Sequence, residues 1–351
     1  MSSGDRAQVQ VIAPNFKRRL SGVTATVVRL VPIQARALNI AATGPVIPPH
    51  VPQIPLSSLL TLSRSGPGGG PRVWHARRNV EMIGGLALKY LLGKRLQLVF
   101  TSASQRKQTG LTRWLIRRMD AVVATSERTA AYLESPAQVI MHGIDLEEYA
   151  PAPDRPALRA RLGLPDATLV GCFGRIRHQK GTDAFVDAML PVIAATPDTH
   201  ALIMGRAVGK EDTAYLADLK ARVQAAGLGE RFHFLPEIPV EDMADWYRVL
   251  DLYVAPQRWE GFGLTPIEAM GCGVPVIATR VGAFEQIVVE GTGVLADPGD
   301  IKGLSEAILA ACAPSGPLEG WSNNARPHVA EHFSIEREAA ELVALYRRLL
   351  A

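Results

Sequence analysis

Residues 260–268 read EGFGLTPIE: two glutamates eight positions apart, with glycine, phenylalanine, threonine and proline between them. A purely structural reading makes Thr265 an N-cap, Pro266 the first helical residue and Glu268 the third. That is a capping box, in which Glu268 serves only its own helix for about 1 kcal/mol. It leaves the segment before it unexplained. The preceding LDLYVAP (250–256) reads as a buried strand, so Glu260 falls at the carboxyl end of a strand. There GFG offers backbone N–H groups at a helix N-terminus. Such N–H groups suit an anion and the carboxylates suit a polyol, so spacing and place together favour a ligand site.

Working outward, the second half alternates short apolar runs with helical patterns: TLVGCFG (168–174), HALIMG (200–205), FHFLPE (232–237), LDLYVAP, then VPVIAT (274–279). Continuously apolar strands separated by helices mark a parallel sheet covered on both faces. The first half shows VQVIA (9–13), LQLVFTS (96–102), AVVATS (121–126) and AQVIMHG (137–143), with a helical stretch from Val23. Both halves are expected to be doubly wound α/β domains. SRSGPGGGPR (63–72) reads as a flexible surface loop and APAPDRP (150–156) as a linker. The expected domains are therefore 1–150 and 151–333, with an amphipathic last helix, 334–351, packing back on the first.

GCFGRIRHQKGTD follows the first strand of the second half. Gly171 and Gly174 permit a tight turn, while Arg175, Arg177 and Lys180 bring three cations to the mouth of the sheet. A guanidinium contributes planar bidentate donors and an ammonium a point charge, which together suit a diphosphate. The order Lys-Gly-Thr is not that of a Walker loop, and the dinucleotide fingerprint is incomplete. A basic solvated turn is the alternative.

Residues 1–150 carry 19 Lys and Arg against 8 Asp and Glu, an excess of +11, and the remainder carries 19 against 26, or −7. An asymmetry this large points to an anionic partner for the first half. Three clusters fall at candidate strand ends there: Lys17, Arg18 and Arg19; Arg77 and Arg78; Arg106 and Lys107. Few aromatics accompany them, which argues against nucleic acid. Three cysteines in no C-x-x-C pair favour a reducing compartment. The N-terminal residues lack a secretory signal and no apolar run reaches the roughly 18 residues of a membrane span, so a cytoplasmic protein with at most peripheral membrane contact is expected. HVAEH (328–332) matches a short zinc pattern but is read as a surface helix.

Glu260 and Glu268 resemble the E-x7-E signature of retaining glycosyltransferases of family 4, and GRIRHQKG resembles that family's diphosphate-binding segment. HGID (142–145) resembles its interdomain turn. PNFKRRLSGVTAT, VWHARRN, FTSASQRKQ and RWLIRRMDAVVATSE look like bacterial lipopolysaccharide-core mannosyltransferases, so the likeness covers nearly the whole chain. It implies the GT-B fold, two Rossmann-like domains facing across a cleft. It also implies transfer of mannose from GDP-mannose to the inner core (Kdo region) of lipopolysaccharide, an anionic lipid-linked saccharide, with no cofactor or metal. Arg175, Lys180 and Glu260 would be catalytic. Gly22, Gly261, Phe262, Gly263, Leu264, Thr265 and Glu268 would bind the donor. Lys17, Arg18, Arg19, His75, Arg77, Arg78, Arg106 and Lys107 would bind the acceptor. Where relatives carry a histidine after a first-domain strand, this chain has Ser102-Ala103-Ser104, and His75 is the candidate substitute. The alternatives are another nucleotide sugar such as UDP-glucose, a nucleotide-sugar epimerase, and a nucleotide-binding adaptor without catalysis.

Overall fold

The computed structural model describes residues 7–18 and 22–351. The chain divides into two units, residues 1–141 with 335–351, and residues 142–334. Each is built on one six-stranded, wholly parallel sheet.

The first sheet runs β2-β1-β3-β4-β5-β6. Its strands are β1 (Val11–Pro14), β2 (Ile40–Thr43), β3 (Arg72–Ala76), β4 (Leu96–Ser102), β5 (Ala121–Ala124) and β6 (Gln138–Val139). Alternate residues of these strands feed two cores. Val11, Val73 and Val99 pack with the helix Gly22–Gln34 and with Ile335, Leu342 and Tyr346 of the C-terminal helix Ile335–Leu350. Ile12, Trp74 and Leu98 pack on the opposite face with Met82, Leu86 and Leu115. β2 was not read as a strand from the sequence, β3 entered only as the candidate strand end before Arg77 and Arg78, and β6 shrinks to two residues.

The second sheet runs β12-β11-β10-β7-β8-β9. Its strands are β7 (Thr168–Phe173), β8 (Thr199–Met204), β9 (Phe232–Leu235), β10 (Leu252–Ala255), β11 (Val276–Thr279) and β12 (Gly293–Ala296). Strand order reverses between β7 and β10, the switch point at whose carboxyl ends doubly wound sheets bind ligands.

Two expectations are corrected. The 150–156 segment is not a linker: Asp154 caps the helix Arg155–Arg161 by accepting from Ala157 N at 2.9 Å, and Arg155 pairs with Asp251 at 3.0 Å. Proline there starts a helix rather than loosening a chain. The division accordingly falls between Met141 and His142, not at 150. Ile144 N donates to Phe333 O at 2.8 Å, and Arg326 donates to the carbonyls of Leu146, Tyr149 and Gly271, fixing 142–150 within the second unit. The Gly-rich loop, too, is pinned at its end. Arg72 is buried and donates to Val9 O at 2.9 Å, Ser63 O at 2.9 Å and Ser65 O at 2.7 Å.

Candidate active site

The loops leaving β7 and β10 meet at the switch point of the second sheet. The β7 loop passes Gly174 and Arg175, makes a turn at His178–Lys180 and enters the helix Thr182–Ala195 through Gly181. Gly181 has φ +70°, and a Cβ there would lie 1.9 Å from Pro256 O, so only glycine lets the two loops approach. The contact is dense. Arg258 N donates to Gln179 O at 3.0 Å, and Arg258 Nη1 donates to His178 O at 2.8 Å. The Arg258 guanidinium also grips Asp183 through both nitrogens, at 2.7 and 2.9 Å, and Tyr215 donates to Asp183 at 2.8 Å. Burial alone would raise the Asp183 carboxyl, but these hydrogen bonds outweigh it and hold it below the usual range.

Within this frame Lys180 Nζ donates to Glu260 Oε2, while Glu260 Oε1 accepts from Gly261 N at 3.0 Å. The pair is partly buried. Arg175 stands exposed at the edge of a cavity of about 260 Å³ also lined by Gly174, Gly205, Glu237 and Ile238. Arg206 pairs with Glu237 at 3.2 Å on its rim.

The helix after β10 starts one residue before the expected Thr265: it spans Leu264–Gly271, with Gly263 at its cap (φ +94°, ψ +92°). Thr265 is thus inside the helix, and the capping-box reading fails. The reason is steric. A Cβ at residue 263 would sit 2.2 Å from Phe284 Cε1, so this corner requires glycine. Glu268 Oε2 instead accepts from Tyr247 Oη at 2.9 Å. Tyr247 is fully buried among Tyr149, Phe173 and Tyr253. Burial, then the neighbouring Glu268, holds its phenol well above the ordinary value, so it stays a donor. Tyr247, Arg258 and Asp183 were not singled out in the sequence. Only Arg258, two residues before Glu260, had a position that could have flagged it.

In the first unit the basic clusters follow β1, β3 and β4, the first two at the switch point between β1 and β3. Lys17 and Arg18 are exposed after β1, and Arg106 and Lys107 are exposed after β4. Arg19 lies outside the described residues. Gly22 begins the helix Gly22–Gln34, with open space where a Cβ would be. Arg78 is committed internally: its Nη1 donates to Glu81 Oε1 and Asn15 Oδ1, each at 2.8 Å, and Glu81 is fully buried. Arg77 donates to His75 O at 3.3 Å. His75 is not a ligand-binding residue. It is fully buried, with Nδ1 2.5 Å from Tyr346 Oη and Nε2 2.6 Å from Thr101 Oγ1, so both ring nitrogens are taken. His328 of the short zinc pattern faces Ile287 O at 3.1 Å within the helix Leu318–His332. Among the described residues no cluster of three His, Cys, Asp or Glu side chains is arranged to hold a metal.

Residues 167–313 match the family model described as glycosyl transferases group 1. The chain is 49% identical to the lipopolysaccharide core biosynthesis mannosyltransferase LpsB of Rhizobium meliloti (strain 1021), over 99% of each chain. The chain belongs to the group 1 glycosyl transferases. This glycosyltransferase is also 47% identical to the lipopolysaccharide core biosynthesis mannosyltransferase LpcC of Rhizobium leguminosarum bv. viciae, over 99% of this chain and 98% of the relative. Its fold is that of Anabaena HepE, solved in complex with UDP. That structure superposes with a TM-score of 0.83 over 97% of this glycosyltransferase and 100% of HepE, at 18% identity. The two Rossmann-like sheets are those of a GT-B glycosyltransferase.

Proposed function

We propose that this glycosyltransferase moves mannose from GDP-mannose to the inner core of lipopolysaccharide, at the Kdo region, with retention of configuration. The observation that carries the reading is the union of Lys180 and Glu260 at the β7/β10 switch point, with Glu260 eight residues before Glu268 in the chain. The full-length likeness to two core mannosyltransferases supports the sugar and the acceptor.

The donor diphosphate lies against Arg175, Lys180 and the N–H groups of Gly261 through Thr265, at the start of the helix Leu264–Gly271. Cations and a helix N-terminus are favourable to an anion and to the charge that grows on it as the sugar departs. These cations, rather than a metal ion, supply the neutralisation. Phe262 and Leu264 carry backbone into the site. Glu268, steadied by Tyr247, holds ribose hydroxyls, and Glu260 orients the sugar. The nucleoside enters the cavity beside Gly174 and Gly205. The C1–O bond to the diphosphate breaks on the face where the acceptor oxygen bonds to C1, and a diphosphate oxygen takes the acceptor's proton. Gly22 opens the helix Gly22–Gln34 with free space where a side chain would stand, which leaves its backbone open to a phosphate. Lys17, Arg18, Arg106 and Lys107 hold the anionic, lipid-linked acceptor, and contact with the inner membrane surface from the cytoplasmic side is peripheral.

Calorimetric titration with GDP, UDP and ADP in EDTA tests this, on wild type and on Glu268→Ala. GDP is expected to bind and the variant to lose that binding while still folding. Preference for UDP or ADP would overturn the mannose donor, and silence toward all three would overturn the enzyme reading.

A further inference from the structure

Glu81 and Asn15 are fully buried at the switch point of the first sheet, and both bond to one guanidinium that the proposed chemistry leaves unused. Arg78, its side chain 12% exposed, donates through Nη1 to Glu81 Oε1 and Asn15 Oδ1, each at 2.8 Å, and through Nη2 to Thr24 Oγ1 at 3.3 Å. Thr24 is buried in the first turn of the helix Gly22–Gln34 and donates in turn to Asn15 Oδ1 at 3.1 Å. The Asn15 amide donates to two carbonyls, Pro45 O at 3.2 Å and Lys17 O at 3.4 Å. The second oxygen of Glu81 accepts from Arg77 N at 2.7 Å. One side chain thus ties together the segments that leave β1, β2 and β3 at their carboxyl ends.

The turn after β2 is shaped to meet this network. Gly44 has φ +129°, and a Cβ there would lie 2.0 Å from Asn15 O, so only glycine passes so close. Val46, two residues on, has φ +58° and is the one non-glycine with a positive φ among the described residues. A β-branched side chain is strained there and persists only where its surroundings over-determine it. Stability does not account for the arrangement, because desolvation of a buried ion pair offsets its attraction, and an apolar pair of like size does as well. Position does account for it. Asn15 holds the main chain at Lys17, and Thr24 holds the helix that Gly22 opens.

We infer that Arg78 is a positioning residue: backed by Glu81, it fixes Asn15 and Thr24, and so sets where Lys17 and Arg18 present their charges to the anionic acceptor. Arg78 itself touches no substrate. The inference rests on the acceptor role proposed for Lys17 and Arg18.

The experiment is steady-state transfer from GDP-mannose to a Kdo-bearing lipid A precursor, with urea midpoints for every variant. Arg78→Lys keeps a cation beside Glu81 but lacks the planar fork that reaches Asn15 and Thr24 together. Arg78→Met with Glu81→Gln removes both charges, strands neither, and keeps an acceptor for Arg77 N. In both, acceptor KM should rise about tenfold, within the roughly 10²-fold that a misplacement of about 1 Å can bring, while kcat and donor KM move less. Thr24→Val, which loses only a hydroxyl, should show the same change on a smaller scale. Lys17→Ala with Arg18→Ala should raise acceptor KM by itself and add little on top of Arg78→Lys.

A merely structural role predicts otherwise: the neutral pair, with its wild-type urea midpoint, would recover wild-type acceptor KM. That recovery, with the Lys17–Arg18 variant still impaired, overturns the inference and leaves the acceptor reading standing. Losses that multiply overturn it as well, since Arg78 then acts by a route other than Lys17 and Arg18. Where a charge variant folds poorly, Thr24→Val decides, and an unchanged acceptor KM in it overturns the inference. A Lys17–Arg18 variant that transfers like wild type overturns the acceptor reading and the inference together.

Discussion

Lys180 and Glu260 stand eighty residues apart in sequence, yet the lysine's ammonium donates to the glutamate's carboxylate where the β7 and β10 loops cross. The pair is partly buried, and its lysine end belongs to the same loop as Arg175. Neither charge is spent on a distant helix. On the proposed reading an arriving diphosphate would meet an ammonium already oriented by its partner, and part of the ordering cost would be met before binding.

A double-mutant cycle should reveal that coupling. Lys180→Ala is expected to lower kcat by about 10²–10³, the loss typical of one preorganised donor to a departing anion. Glu260→Gln should lower it comparably. The double variant should lose little more than the worse single one, because residues acting as a unit are not additive. Losses that simply multiply would mean that the two side chains act separately.

Tyr247→Phe removes the hydroxyl that donates to Glu268 Oε2, without touching the β7 loop. A hydrogen bond to a charged group is worth about 1.5–3 kcal/mol, and water replaces part of it at a half-open site. Donor KM should therefore rise roughly three- to tenfold with kcat nearly unchanged. An equal fall in kcat would place Glu268 at the reacting sugar rather than at the ribose.

The Arg258–Asp183 pair makes a prediction in acid. The Asp183 carboxyl sits below its ordinary value in the folded protein, so its contribution is present above the unfolded carboxylate range and lost as pH falls through the folded value. Asp183→Asn should thus be less stable than wild type at neutral pH, with the gap closing toward about pH 3. Urea midpoints at neutral and acid pH measure it, and a gap constant over that span would deny the pair its role.

The motif EGFGLTPIE was legible because everything it needs is local: a strand end, glycines at a corner and a helix start within nine residues. What fixes Glu268 was not, since Tyr247 reaches it only through the packing of the helix Met243–Arg248 on the helix Leu264–Gly271. Thr265 looked like a cap because Thr-Pro-x-Glu is a good cap sequence. The ring of Phe284, nineteen residues on, forces the turn onto Gly263 instead. The proline-rich 150–156 stretch misled in the same way, as one composition serves both a linker and a helix start. A histidine near a strand end reads alike whether it faces ligand or core. Tyr346, from the far end of the chain, decides that for His75.

His75 yields the last prediction. Burial, followed by the charge of Arg77, holds its pKa well below the ordinary histidine value, so the folded ring stays neutral. Below about pH 6.5 the unfolded chain takes up a proton that the folded one refuses, so stability falls as pH drops, by at most about 1.4 kcal/mol per pH unit for one such group. His75→Gln should cost stability at pH 7.5 by breaking the contacts to Tyr346 and Thr101. It should also remove this acid penalty, so the gap to wild type narrows at pH 5. His200, His233 and His328 are held low as well, which leaves a residual acid slope in both proteins. Urea unfolding of the pair at the two pH values reads the effect directly. A gap that stays constant would mean that His75 accepts its proton in the folded state, and that the Tyr346–His75–Thr101 chain can rearrange to admit it.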